Sequence, residues 1–211
     1  MIETASSSSP PPGALFSQAA ERNAEPILAV LRSALPNRGR VLEIAAGSGQ
    51  HSVRLAGTLP HLDWTPSDPD AEARASITAW SAQAGLTNLR PPLALDVLDE
   101  AGWPEGPFEA VVCINMIHIS PWAATEALMR LAGSRLVRPG GVLALYGPYL
   151  EPEVETATSN LAFDASLKAR NPVWGLRRRE VVVAEAEKRG LDFAERHAMP
   201  ANNIMLLFRT V

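Results

Sequence analysis

The chain has 211 residues, a formal charge of −4 and 46% hydrophobic content. That is enough for one sizeable core and gives no general field to draw nucleic acid or an anionic membrane. The single cysteine, Cys113, lies in "AVVCINMIHI" and excludes an internal disulfide or an all-cysteine metal site, while "MIETASSSSPPPGA" lacks the basic and apolar regions of a secretory signal and no apolar run reaches the roughly 20 residues of a bilayer span, so a soluble cytoplasmic protein with a buried thiol is expected.

Residues 1–14 read as a disordered tail and 15–211 as one domain. From Ser17 to Leu35 the apolar residues Ala20, Ala24, Ile27, Leu28 and Leu31 recur at helical spacing, closed by Pro36 and Gly39. "VLEIAAGSGQHS" follows as a buried strand and a glycine turn, "HSVRLAGTLP" as a short helix, "LDWTPSD" as a second strand and "DAEARASITAWSAQAGL" as a helix with Gly85 as its C-cap. "PPLALDV" predicts a third strand, "FEAVVCINMIHI" a fourth, "WAATEALMRLAGSRLVRPGG" a helix with a Pro-Gly-Gly stop, and "VLALYGPY" a fifth strand. "RREVVVAEAEKRGL" reads as a helix. "DFAERHAM" and "NIMLLFRTV", joined only by "PANN", must pair antiparallel. The alternation predicts an α/β, doubly wound, seven-stranded, mostly parallel Rossmann-like sheet with its last strand antiparallel, and a less regular insertion over residues 150–176 at the active-site end.

In such a sheet a ligand lies beyond the carboxyl ends of the strands, where the glycine turn stands. Gly47 and Gly49 are followed by Ser52 instead of the third small residue of a dinucleotide fingerprint, and Glu43 at the strand end would repel a pyrophosphate. S-adenosylmethionine (SAM) carries an ammonium, a carboxylate and a sulfonium but no phosphate, and suits an acid followed by alternating small residues. Asp68, ending the second strand, can accept the ribose hydroxyls, and Asp96, with Val97 beside it, can meet the adenine. Helix capping and a surface turn stay open for the two aspartates. His51 opens the helix after the turn, where its edge can touch the cofactor. An NAD(P)-dependent oxidoreductase and a noncatalytic SAM-binding protein are the alternatives.

The segments "ERNAEPIL", "LEIAAGSGQHSVRLA", "WTPSD", "INMIHISPW", "YGPY", "SNLAFDASLKARNPVWG" and "MPANN" together resemble the methyltransferase-like 26 family, a domain-of-unknown-function family of class I SAM-dependent methyltransferases. The resemblance runs from about residue 17 to the C-terminus, and Ala45 stands where the class usually has glycine. It implies the cofactor and leaves the acceptor open. It also singles out Arg22 and Asn23, the family's "RN" pair, whose guanidinium could grip the carboxylate of the methionine moiety.

Methyl transfer is an in-line displacement on an activated carbon, so positioning and water exclusion carry much of the catalysis, and a base is needed only if the acceptor atom still holds a proton. His118 is the expected base and Asn115 a contact to the methionine moiety, though a histidine that only shapes the pocket is equally open. Tyr149 is expected at the reacting centre. Tyr146, Asn160, Trp174, Asn202 and Asn203 are expected around the acceptor, with Asp164 ranked below them, and core packing for Tyr146 and a plain asparagine turn for "PANN" remain open. The "RRR" of residues 177–179 opens the predicted helix, where it reads as a solvated face, with a contact to an acidic acceptor as the alternative. No histidine pair has metal spacing. The expected partner is a small-molecule acceptor offering an O, N or S atom, with neither nucleic acid nor membrane involved and a homodimer left open.

Overall fold

In the computed structural model, which describes residues 9–211, the apolar runs form the centre of a six-stranded sheet. The elements are α1 (Gln18–Ala34), β1 (Gly39–Ile44), α2 (Gln50–Thr58), β2 (Leu62–Pro66), α3 (Ala71–Ala84), β3 (Phe108–Ile114), α4 (Trp122–Leu131), β4 (Val137–Gly147), β5 (Tyr149–Leu150), α5 (Thr158–Arg170), β6 (Arg177–Arg178), α6 (Arg179–Glu187), β7 (Leu191–Met199) and β8 (Asn203–Thr210). The sheet order is β2-β1-β3-β4-β8-β7, parallel across the first four strands, with β8 antiparallel to both its neighbours. The first eight residues of the expected tail lie outside the described residues. Among the described residues no helix is long and apolar enough to cross a membrane.

Alternation along the central strands divides the core into two. Leu42, Ile44, Val111, Cys113, Leu143, Leu145, Leu206 and Phe208 pack with Leu128 of α4 and Val182 of α6. Val41, Ala110, Val112, Val142, Ala144, Met205 and Leu207 pack with Ile27, Leu28 and Leu31 of α1 and Leu55 of α2. Period-two burial on both faces is what a central strand covered by two helical layers requires. The chain leaves β1 toward β2 on one side and returns to β3 on the other, so the order reverses between β1 and β3. In sheets of this order the ligand crevice lies at that point, outside the carboxyl ends of the strands.

Four expectations are corrected. The predicted third strand survives only as isolated bridges, Trp64 with Leu89 and Ser67 with Leu93. Pro91 and Pro92 lack the N–H a ladder needs, so only Arg90 and Leu93 donate from that segment to β2, at 2.8 and 3.0 Å. Pro139-Gly140-Gly141 does not stop α4. The helix gives way to a π turn, Ala132–Leu136, and the Pro-Gly-Gly sits inside β4 as a bulge between the pairs Phe108–Val137 and Ala110–Val142. The insertion is more regular than expected, since α5 fills its middle and β5 pairs in parallel with β6 across its ends. Arg177 and Arg178 accordingly form a strand, and only Arg179 opens α6.

Candidate active site

Three residues of the turn after β1 take positive φ: Ala45 at 53°, Gly47 at 57° and Gly49 at 87°. Gly49 is held to glycine twice over, because a Cβ there would stand 2.8 Å from the Ile77 Cα of α3. Gly47 is different. A Cβ would meet nothing within 4 Å, so its outer side is open, and its N–H donates to Asp68 Oδ2 at 2.9 Å. Asp68 Oδ1 accepts from the Asp70 N–H at 3.0 Å, and Asp70, not Asp68, caps α3. Asp68 is 7% exposed, and each of its oxygens keeps a lone pair beyond the backbone bond it accepts.

Glu43 does not face the crevice as expected. It is 1% exposed at the end of β1, where its Oε2 accepts from Ser52 of α2 at 2.6 Å and from the Trp64 indole of β2 at 2.7 Å. Burial pushes its carboxyl up to about 7, against the pull of those two donors and with a further push from Asp68. It therefore braces the turn from beneath. Asp96 is exposed and folded into its own turn, accepting from the Leu98 N–H at 2.9 Å, while Val97 beside it is buried. His51 is buried, its Nδ1 has no partner, and burial lowers its imidazole to about 4.

The start of α1 closes over this turn through residues that sequence reasoning missed. The Leu15 N–H donates to Ser76 Oγ, which donates to the Ser48 carbonyl at 2.7 Å. Gln50 Oε1 accepts from the Ser17 N–H at 2.6 Å, and its amide donates to Glu21 at 3.3 Å. Serines and a glutamine near a turn carry no distinctive spacing, so nothing short of the fold singles them out. One turn along, Arg22 is exposed and Asn23 half-buried, and neither makes a side-chain hydrogen bond or ion pair among the described residues.

On the other side of the crevice β3 ends where Asn115 turns to φ 63°, its N–H donating to the Tyr146 carbonyl at 2.8 Å. The short turn that follows carries His118 inward. Its ring is fully buried and meets the Tyr149 ring edge-on, with centroids 4.8 Å apart. A Cβ on Gly147 would stand 2.4 Å from His118 Nε2 and 3.1 Å from Asn115 Oδ1, so glycine at the end of β4 makes room for this packing. Among the described residues neither ring nitrogen of His118 nor the Tyr149 hydroxyl has a hydrogen-bond partner. Burial first, then the neighbouring Arg177 cation, lowers the imidazole to about 3, with only Asp164 acting the other way. The expected base is thus a sealed, neutral imidazole. The Tyr149 hydroxyl is held well above its ordinary value by burial. Tyr146 packs in the opposite core, against the α1 and α2 side, and burial pushes it up to about 12. Cys113 is buried as expected, its thiol pushed up to about 12.

The insertion is fastened at both ends of the crevice. Arg177 donates through Nε to the Ile117 carbonyl at 3.0 Å and through Nη2 to those of Ser120 and Val173 at 2.7 and 2.9 Å, and the Gly175 N–H donates to the His118 carbonyl at 2.9 Å. Across from it, Asn160 of α5 donates to the carbonyls of Ala201 and Asn202, and the Asn202 side chain accepts from the Ala157 N–H at 3.0 Å. Asn203 donates to the Pro200 carbonyl within the turn itself. Asp164 accepts from the Leu176 N–H and pairs with Lys168, and Trp174 lies under Arg170. Asn160 and Asn202 therefore come together as a latch, Asn203 makes its own turn, and Trp174 sits apart from both. Of the arginine run only Arg178 is a solvated cation, paired with exposed Glu180; Arg177 is tied to carbonyls, and Arg179, together with Arg196, pairs with Glu151, whose carboxyl they hold below its ordinary value.

The family described as "Protein of unknown function (DUF938)" matches residues 14–210. Among solved structures, an O-methyltransferase family protein from Burkholderia thailandensis aligns at a TM-score of 0.77 and 18% identity over 91% of this chain and 57% of its own. An O-methyltransferase family 2 protein from Planctomyces limnophilus, in complex with apigenin, aligns at 0.79 and 18% over 92% and 58%. A methyltransferase of calicheamicin biosynthesis with S-adenosylhomocysteine (SAH) bound aligns at 0.72 and 16% over 89% and 54%. The fold is that of class I methyltransferases, and the chain spans little more than half the length of these structures.

Proposed function

The chain belongs to the DUF938 family, and from that premise we propose that it is a SAM-dependent methyltransferase acting on an O, N or S atom of a small-molecule acceptor. The observation that carries the reading is the pairing of the open Gly47 with Asp68. A backbone shaped for close approach stands against a carboxylate with lone pairs to spare, which suits a ribose diol and repels a pyrophosphate. The neighbouring methyltransferase structures, one of them holding SAH, support the same ligand. The segments shared with the methyltransferase-like 26 family support the finer placement within it.

The residues present fit the cofactor. Asp68 would accept the ribose hydroxyls, Gly47 and Gly49 would let the backbone approach, Asp96 and Val97 would border the adenine, and Arg22, Asn23 and Asn115 would hold the methionine end. Bound SAM supplies an electrophilic methyl group on a sulfonium. The chain's part is to hold the acceptor in line with that methyl and to keep water out beneath the latched insertion. Equilibrium titration tests the reading. SAM and SAH are expected to bind in the micromolar range and NADH and NADPH not at all, and the reverse order would replace this reading with the oxidoreductase. A screen of small phenolic, thiol, carboxylic and heteroaromatic acceptors with labelled SAM then separates an enzyme from a noncatalytic binder.

A further inference from the structure

Building on the methyltransferase reading, we infer that the acceptor arrives with its reacting lone pair already free of a proton at neutral pH, as a thiolate, a carboxylate or a pyridine-type ring nitrogen. The described side chains around the crevice supply nothing placed to remove a proton from an alcohol or an un-ionised phenol.

His118 is the natural candidate, and its side chain is fully buried. Gly147 of β4 lies against Nε2, the Tyr149 ring of β5 lies across the imidazole, and the Gly175 N–H of the insertion is bonded to its carbonyl. The charged groups nearest it are Arg177 and Asp164. Asp164 is already committed to Lys168 and the Leu176 N–H, so a protonated His118 would add an unpaired buried cation close to another cation. The other candidates fail by position or by burial. His51 stands at the start of α2, beside the turn where the cofactor would lie, Glu43 is 1% exposed with two donors on one oxygen, and the hydroxyls of Tyr146 and Tyr149 are buried. Asp68 and Asp96 are held at the turns after β2 and before Leu98 by the N–H groups of Gly47, Asp70 and Leu98 that they accept from, on the side where the cofactor would lie.

The transfer balances without a base. The acceptor's lone pair forms the new bond to the methyl carbon as the carbon–sulfur bond breaks, and its electrons stay on sulfur, which becomes a neutral thioether. A thiolate leaves as a methyl thioether, a carboxylate as a methyl ester and a ring nitrogen as an N-methyl cation, and no proton moves.

The test uses the full chain saturated with SAH and labelled at its histidine rings, followed by NMR from pH 5 to 8. Of the four histidines, the signals of His61 and His197 are assigned by their loss in His61→Gln and His197→Gln, and the two remaining rings, His51 and His118, are expected to keep constant shifts across that range. Titration of either remaining ring in that range overturns the inference. For any acceptor that the labelled-SAM screen returns, the rate is expected to follow the acceptor's own ionisation, and an alcohol or an un-ionised phenol as the best acceptor overturns it equally. If SAH shifts no resonance at all, the methyltransferase reading fails instead, whatever the histidines do.

Discussion

Gly47 and Asp68, which shape the side of the crevice proposed to hold the cofactor (the cofactor side), are 21 residues apart, and Ser48 and Ser76 are 28 apart. On the opposite side, proposed to receive the acceptor (the acceptor side), Arg177 grips carbonyls 60 and 57 residues back, and Asn160 reaches 42 residues ahead to Asn202. The cofactor side is made by backbone conformation within one strand–turn–helix unit and its neighbour. The acceptor side is made by side chains that tie an insertion to two distant turns. The first kind of site leaves a local signature in sequence, and the second leaves scattered polar residues whose partners the fold alone supplies.

The largest effect is expected from breaking the cofactor side at its tightest point. Gly49→Ala places a Cβ 2.8 Å from a backbone atom of α3 at φ 87°, so overpacking and backbone strain add. A loss of about 3 kcal/mol or more in urea unfolding is expected, with SAH binding lost. Near-normal stability would show that α3 can move away from the turn.

The next effect isolates the acceptor side. Arg177→Met removes three hydrogen bonds to carbonyls and the guanidinium over Trp122 while keeping an unbranched apolar side chain. Stability should fall by about 2 kcal/mol and protease cleavage within residues 150–176 should quicken, with SAH affinity held within about threefold. Equal losses on both sides would mean that the two halves are one cooperative unit.

What could be read from residues follows the same divide. β1, the glycine turn, α2, α3 with its Gly85 cap and Asp68 are visible because apolar period, positive φ and short spacing fix them. Glu43 was visible as an unusual acid, but its direction was not, because Ser52 and Trp64 draw it under the sheet. Arg177–Arg179 looked like solvated charge since Ile117, Ser120 and Glu151 lie far away in the chain. His118 sat at the expected height in the fold, but Gly147 and Tyr149 turn it into the core.

Acid tests both halves together. His118 and His51 carry imidazoles lowered from 6.5 to about 3 and about 4, so below pH 6.5 the unfolded chain binds protons that the folded chain refuses, and stability falls as pH drops. Glu43, raised from 4.5 to about 7, works in the opposite sense: between those values the folded chain keeps a proton that the unfolded chain has released, and its contribution declines as pH rises. Two protons against one leave stability rising by about 1.4 kcal/mol per pH unit from 4.5 to 6.5. Glu43→Gln removes the opposing proton, so the slope should steepen to about 2.7 kcal/mol per unit in urea titrations at a series of pH values. An unchanged slope would show that Glu43 does not hold its proton in the folded protein.

The smallest effect is the most informative about the turn itself. Ala45 holds φ 53°, a conformation that costs an L-residue about 1 kcal/mol. Ala45→Gly removes that strain but gives the unfolded chain about 0.4–1 kcal/mol of extra freedom and gives up the methyl packed against the core beside α4. The two should nearly cancel, leaving stability within about 0.5 kcal/mol and SAH affinity within about twofold. The turn would then be positioned by Gly49 against α3 and by the Gly47–Asp68 bond, with the alanine a tolerated passenger. A loss above about 1 kcal/mol would instead place the methyl of Ala45 among the contacts that set the turn, and would join the cofactor side of the crevice to the core through packing.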